Sequence, residues 1–154
     1  MTITTTNNKA QATGNGSVTV FNYNYIVLDA THMQVYLDGA LQSSGYTVED
    51  VGNPAGGTVT FTAAPALNVS VVLLRVVPQT QQVDYSPYDP FPAETHESAL
   101  DKLTMITQQM QEELDRSWKV PVDTPPAVDA TPPAYAAGMV LGWSGTEPNT
   151  LVNY

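Results

Sequence analysis

Residues 93–119 read AETHESALDKLTMITQQMQEELDRSWK, and these 27 positions contain neither glycine nor proline, so nothing in them breaks a helix. Leu100, Leu103, Ile106, Met110, Leu114 and Trp118 recur at spacings of 3, 3, 4, 4 and 4, the period of an amphipathic helix. Glu94, Glu97 and Asp101 come early and Arg116 and Lys119 late, which complements the helix dipole. Glu112 with Arg116 and Asp115 with Lys119 add favourable pairs four residues apart. At 1.5 Å per residue such a helix extends about 40 Å, more than a small β-domain can cover. Part of its apolar stripe is therefore expected to meet another chain. Leu100, Leu103, Met110 and Leu114 fall at heptad positions a, d, d and a, with Thr107 at the intervening a and Ser117 at the following d, a short coiled-coil seam. These residues alone do not separate a trimer from a dimer.

N-terminal to the helix the hydrophobic period changes to two. Met33, Val35 and Leu37 alternate with Gln34, Tyr36 and Asp38 and end at Asp38-Gly39, a favoured tight-turn pair that marks one arm of a hairpin. Phe21–Val27 is aromatic and β-branched, Tyr46–Val51 follows Ser43-Ser44-Gly45, and Thr58–Phe61 follows the turn Gly52–Gly57. Val69–Val77 is apolar on both faces apart from Ser70 and Arg75, the pattern of a central strand. Five short antiparallel strands are expected. A β-domain of about 70 residues buries only about 60 % of its unfolded surface and is marginal alone.

C-terminal to the helix, Val120–Ala134 holds Pro121, Pro125, Pro126, Pro132 and Pro133, with Thr124-Pro-Pro-Ala repeated at Thr131. Such composition favours extended polyproline II and makes a semi-rigid spacer. Met139–Trp143 and Thr150–Tyr154 then read as the arms of a short hairpin.

The whole chain of 154 residues has room for one ordinary domain and accessory segments. Fifteen acids against five bases give a net charge of −10, which argues against nucleic acid and anionic membrane as partners. The absence of cysteine excludes disulfides, thiolate zinc sites and thiol catalysis. No apolar run approaches the roughly 20 residues of a membrane helix, and Met1–Gly16 has no stretch suited to a signal peptide.

Candidate chemistry is sparse. His32 and His96 lie 64 positions apart with no metal-ligand spacing around either. Asp84 with Asp89, or Glu97 with Asp101, could place two carboxylates at hydrolytic distance, but nothing selects a pair, and acids near a helix start already have a stabilising role. Gly52–Gly57 lacks the lysine and the strand-to-helix context of a phosphate loop. No catalytic residue, metal ligand or cofactor site is expected.

Landmarks from Phe21 to Lys119, taken in order, carry a resemblance. They are Val35-Tyr-Leu-Asp-Gly39, Tyr46-Thr-Val48, Gly57-Thr-Val-Thr-Phe61 with Ala64-Pro65, and Val72–Arg75 with Pro78. Gln82-Val-Asp-Tyr85, Phe91-Pro-Ala-Glu94, Glu97-Ser-Ala-Leu-Asp-Lys-Leu103 and Gln108-Gln109 through Glu112-Glu113 to Arg116 follow. Together they resemble the N-terminal tail-attachment domain of bacteriophage tail fibres and tailspikes of the short-tailed type. In that family the β-domain docks onto the tail and the following helix gathers three chains at the start of a fibre shaft.

The resemblance implies a homotrimeric virion protein of the phage tail, with Leu100, Leu103, Ile106, Thr107, Met110, Leu114 and Trp118 at the trimer interface. The expected architecture is mainly β with one long helix. A small antiparallel β-sandwich-like domain precedes an amphipathic helix forming a trimeric coiled coil, then a Pro-rich linker and a short C-terminal β-hairpin. The expected division is a flexible arm over 1–16, a tail-docking domain over 17–88, a trimerisation helix over 89–119, a linker over 120–137 and a handover hairpin over 138–154. Expected partners are the chain itself, tail proteins of adaptor or nozzle type, and a distal fibre or receptor-binding protein. The expected role is a non-enzymatic adaptor that attaches receptor-binding fibre components to the tail for host adsorption. A typical fibre continues for hundreds of residues, so the sequence is either an anchor or a fragment. The rival expectation is a small monomeric carbohydrate- or protein-binding β-module using Tyr23, Tyr25, Tyr36, Tyr85 and Tyr88, although aromatics in strands more often serve as core.

Overall fold

A computed structural model describes residues 3–81, 83–84, 92–117, 119, 141–143 and 151–153, the last two segments by backbone alone. The chain divides into two compact units, Met1–Arg116 and Ser117–Tyr154. In the first unit the elements run β1 (Lys9–Thr13), β2 (Val20–Tyr23), a 3₁₀ turn (Ala30–His32), β3 (Met33–Leu37), β4 (Ala40–Gln42), β5 (Tyr46–Glu49), β6 (Gly57–Phe61), β7 (Ser70–Arg75) and α1 (Ala93–Asp115). In the second unit β8 (Leu141–Trp143) pairs antiparallel with β9 (Leu151–Asn153), Leu141 opposite Asn153 and Trp143 opposite Leu151.

Two antiparallel sheets build the first unit, one ordered β1-β7-β3-β4 and the other β2-β6-β5. The β3–β4 hairpin turns at Asp38-Gly39, whose φ angles of 47° and 79° suit the mirror-image turns that match strand twist. β7 lies between β1 and β3, with Leu74 opposite Lys9 and Val35 opposite Leu73. Its central place agrees with the sequence reading, but its two faces differ: Val71, Leu73 and Arg75 are buried while Val72 and Leu74 are half-buried. The alternation is that of a strand with one face on a core.

That core lies between the sheets. Phe21 and Tyr23 of β2, Val59 and Phe61 of β6, Met33 and Val35 of β3, and Val71 and Leu73 of β7 form one cluster with Tyr25 and Val27. Phe21 and Phe61 meet edge to face, with ring centroids 5.5 Å apart at 87°, the arrangement the ring quadrupole favours. The buried phenols are satisfied by main chain: Tyr25 Oη donates to the Leu73 carbonyl at 2.8 Å and Tyr23 Oη to the Glu49 carbonyl at 2.6 Å. Gly56, with φ of 94°, lies so close to Tyr23 that a Cβ there would collide with the Tyr23 carbonyl.

Four expectations change. The chain has seven strands in the first unit rather than five, because Lys9–Thr13 and Ala40–Gln42 take the outer positions of the β7 sheet. Lys9–Thr13 was expected in a flexible arm and instead forms an edge strand. Phe21–Val27 is not one strand: pairing stops at Tyr23, and Tyr25, Ile26 and Val27 turn inward as irregular buried chain. The helix also ends at Asp115, with the Arg116 amide donating back to Glu112, four residues short of Lys119. Pro121 removes a helical donor and disfavours helix at the residue before it. The Pro-rich linker and the turn between β8 and β9 lie outside the described residues.

Candidate self-association interface

The first unit holds α1 by one face and leaves another face open. Met105, Gln109 and Glu112 are buried, at spacings of 4 and 3 that keep them on one side of the helix. Met105 packs with Ile26 and Val77, flanked by Ile3 and Ile106, in a second small apolar cluster. On the heptad frame set by Leu100 and Leu103, Met105 and Glu112 are f positions, opposite the a and d seam.

Polar contacts fix this face at many points. Arg75, at the end of β7 and only 1 % exposed, donates from Nη1 to the Ile26 carbonyl at 2.8 Å and from Nη2 to Gln108 Oε1 at 2.5 Å. Its guanidinium lies 5.6 Å from the centre of the Tyr25 ring, a cation–π contact. The Val77 amide donates to Gln109 Oε1 at 2.8 Å. From the other side residues 3–9 run along the helix in the same direction. The Ile3 amide donates to Asp101 Oδ1 at 3.2 Å, Gln108 Nε2 to the Thr5 carbonyl at 2.8 Å, and Lys9 Nζ to Glu112 Oε1 at 2.7 Å. Arg116 closes on the same carboxylate with two bonds of 2.9 Å. Burial pushes the Glu112 carboxyl up, but the hydrogen bonds from Arg116 and Lys9 outweigh it and hold the carboxyl below its ordinary value.

The opposite face is apolar and, among the described residues, largely exposed. Leu100, Leu103, Met110 and Leu114 are 51, 61, 52 and 52 % exposed, Thr107 is exposed between them and Ile106 is half-buried at their edge. Thr107 Oγ1 donates to the Leu103 carbonyl at 3.0 Å, so its hydroxyl is satisfied within the helix. The structure thus brings six of the seven predicted interface residues onto or beside one stripe, and Trp118 lies outside the described residues. Exposed apolar stripes of this kind are common where proteins meet a partner.

The residues proposed for other chemistry are placed differently. Tyr23 and Tyr25 are buried in the core, which removes them as a stacking platform. Tyr36 is half-buried and donates to Gln34 Oε1 at 2.6 Å; Tyr85 and Tyr88 lie outside the described residues. Asp101 is engaged by the Ile3 amide, and Asp89 lies outside the described residues. His32 is half-buried beside Asp29 and Lys102, and burial lowers its pKa. Among the described residues no group of three or more His, Asp and Glu could hold a metal ion, and no helix is long and apolar enough to cross a membrane. Residues 52–56 are a turn that leads into β6 at Gly57, with the Gly56 amide donating to the Asn53 carbonyl at 3.0 Å.

Sequence reasoning missed the clamp on the helix. Arg75 gave a signal, since a single cation in an apolar strand needs a specific partner. Gln108, Gln109 and Thr5 gave none, because amides and hydroxyls are as common on solvated faces.

No protein-family model matches the chain. The chain is 31 % identical over 125 residues to the tail spike protein of Salmonella phage epsilon15, a match that covers 77 % of this chain and 11 % of that protein. The chain thus spans about a ninth of the length of that relative. The similarity points to a bacteriophage tail component.

Proposed function

We propose that the chain is the anchor segment of a phage tail fibre or spike, and that it works by attachment rather than catalysis. The β-sandwich docks to the tail, three copies of α1 meet along Leu100, Leu103, Ile106, Thr107, Met110, Leu114 and Trp118, and residues 120–154 lead toward a distal fibre or receptor-binding part. The observation that carries this reading is the division of α1 into a clamped f face and an open a and d face. In a parallel coiled coil the f face points away from the axis. Each sandwich would then sit radially outside the seam, clear of its neighbours. Likeness to a tail spike protein supports a tail location, and three copies is what the resemblance of the landmarks to tail-fibre attachment domains implies. Avidity follows, because a trimeric base multiplies weak contacts made by a distal partner.

The test uses particles of the phage that encodes the chain, assembled without it. Added wild-type protein is expected to join the tails, seen by electron microscopy, and the Leu103→Asp, Met110→Asp variant to join at least tenfold less. Particles that take up neither protein would contradict the attachment role.

A further inference from the structure

Beside the exposed stripe the first unit carries a groove of about 570 Å³ between α1 and a wall that includes Gln79, Thr80, Gln81 and Val83. Its apolar lining comes from Leu28, Val83, Ala99, Leu103 and Ile106, and Lys102 ties one wall by donating from Nζ to the Thr80 carbonyl at 2.5 Å. Leu103 belongs both to this groove and to the d positions of the stripe, so groove and stripe form one continuous apolar surface. On the heptad frame Ala99 and Ile106 are g positions, whereas the e positions on the other flank are Thr104 and Gln111. Flanking positions in coiled coils are ordinarily charged; here Ala99 and Ile106 make one flank apolar ahead of Glu113, whereas the other flank, with Glu97, Thr104 and Gln111, is polar throughout.

We infer that a second copy of this chain fills the groove, its Leu100 and Thr104 packing over Ala99, Leu103 and Ile106 and reaching toward Leu28. The inference rests on the proposed self-association of α1. In parallel coiled coils the g flank of one helix faces the e flank of the next, and an a-position knob enters a hole that includes the facing g and d residues. Leu100 is such a knob, and Ala99 with Leu103 forms the matching part of the hole at the mouth of the groove. Two unlike flanks on each copy are what a head-to-tail ring needs in order to close. Ala99, with a single methyl, leaves the mouth open to the incoming side chain. Through the groove the seam extends off the helix onto Leu28, which is 41 % exposed in the single chain. The sandwich, and not only the helix, thereby contributes to recognition between copies.

The test is sedimentation equilibrium on the full chain and on Leu28→Asp, with Leu67→Asp as control, since Leu67 is 70 % exposed in the turn before β7. Leu28→Asp is expected to raise the concentration at half-association at least tenfold and Leu67→Asp to leave it unchanged. As a second readout, Leu28→Cys in this cysteine-free chain carries an environment-sensitive fluorophore, whose emission is expected to shift to the blue with the same midpoint as the mass. Association with neither midpoint nor emission affected at position 28 would overturn the groove proposal and leave the helix seam standing. A chain that stays monomeric would overturn both.

Discussion

Arg75 is the residue on which the two parts of the first unit turn. Its stem leaves the central strand, its guanidinium lies near Tyr25, and its two terminal nitrogens reach Ile26 and Gln108. Arg75→Ala removes that stem, opens a cavity and leaves Gln108 without its donor; we expect a loss of about 3 kcal/mol in urea unfolding, within the range of large-to-small core changes. Glu112 makes a pH-dependent contribution. Its folded pKa lies below its ordinary value of 4.5, so the folded state binds its proton less readily than the unfolded chain does. The stabilisation is complete above that ordinary value and is lost as pH falls through the folded value. Wild type is therefore expected to lose more stability than Glu112→Gln between pH 6 and pH 3, read as urea midpoints. At this scale the sequence was half legible. A buried arginine announces itself inside Val-Val-Leu-Leu-Arg-Val-Val, but the glutamine that receives it is indistinguishable from its neighbours on a polar helix face.

Among the elements, strands with their own hydrophobic alternation were readable and strands defined by pairing were not. Met33–Leu37 and Gly57–Phe61 alternate because one side meets the core. Lys9–Thr13, Lys-Ala-Gln-Ala-Thr, has no such pattern and becomes a strand only because β7 offers it a hydrogen-bonding edge. The helix shows the same division. Its apolar stripe was visible at heptad spacing, but the face it turns to its own sandwich is marked by Met105, Gln109 and Glu112, a mixed set with no periodic apolar signal. That face is held mainly by hydrogen bonds, so Gln108→Ala with Gln109→Ala should free α1 without melting the sheets. Each lost bond to a buried partner costs about 1–3 kcal/mol. Hydrogen exchange is expected to accelerate at least tenfold over Ala93–Asp115 and stay unchanged over β3, β6 and β7. Uniform acceleration everywhere would show instead that helix and sheets unfold as one.

At the scale of the whole molecule, the first unit joins a sandwich too small to be robust alone to a helix whose Leu100, Leu103 and Met110 are more than half exposed among the described residues. The broad architecture, two-sheet β-domain then long helix, was legible because hydrophobic period changes from two to 3.6 at a sharp point in the sequence. How the N-terminal residues 3–9 clamp the helix was not, since it depends on long-range polar contacts. Every copy carries a net charge of −10, so association works against repulsion that salt screens. We expect the concentration at half-association to fall as sodium chloride rises from about 0.05 to 0.3 M, a range over which the Debye length shortens by about half or more. The most direct test of the central claim is the molar mass of the purified chain by light scattering, beside Leu103→Asp, Met110→Asp. We expect about three times the 16.5 kDa of one chain for wild type and a single-chain mass for the variant. A wild type that remains monomeric at micromolar concentration, or a trimer that survives both substitutions, would contradict it.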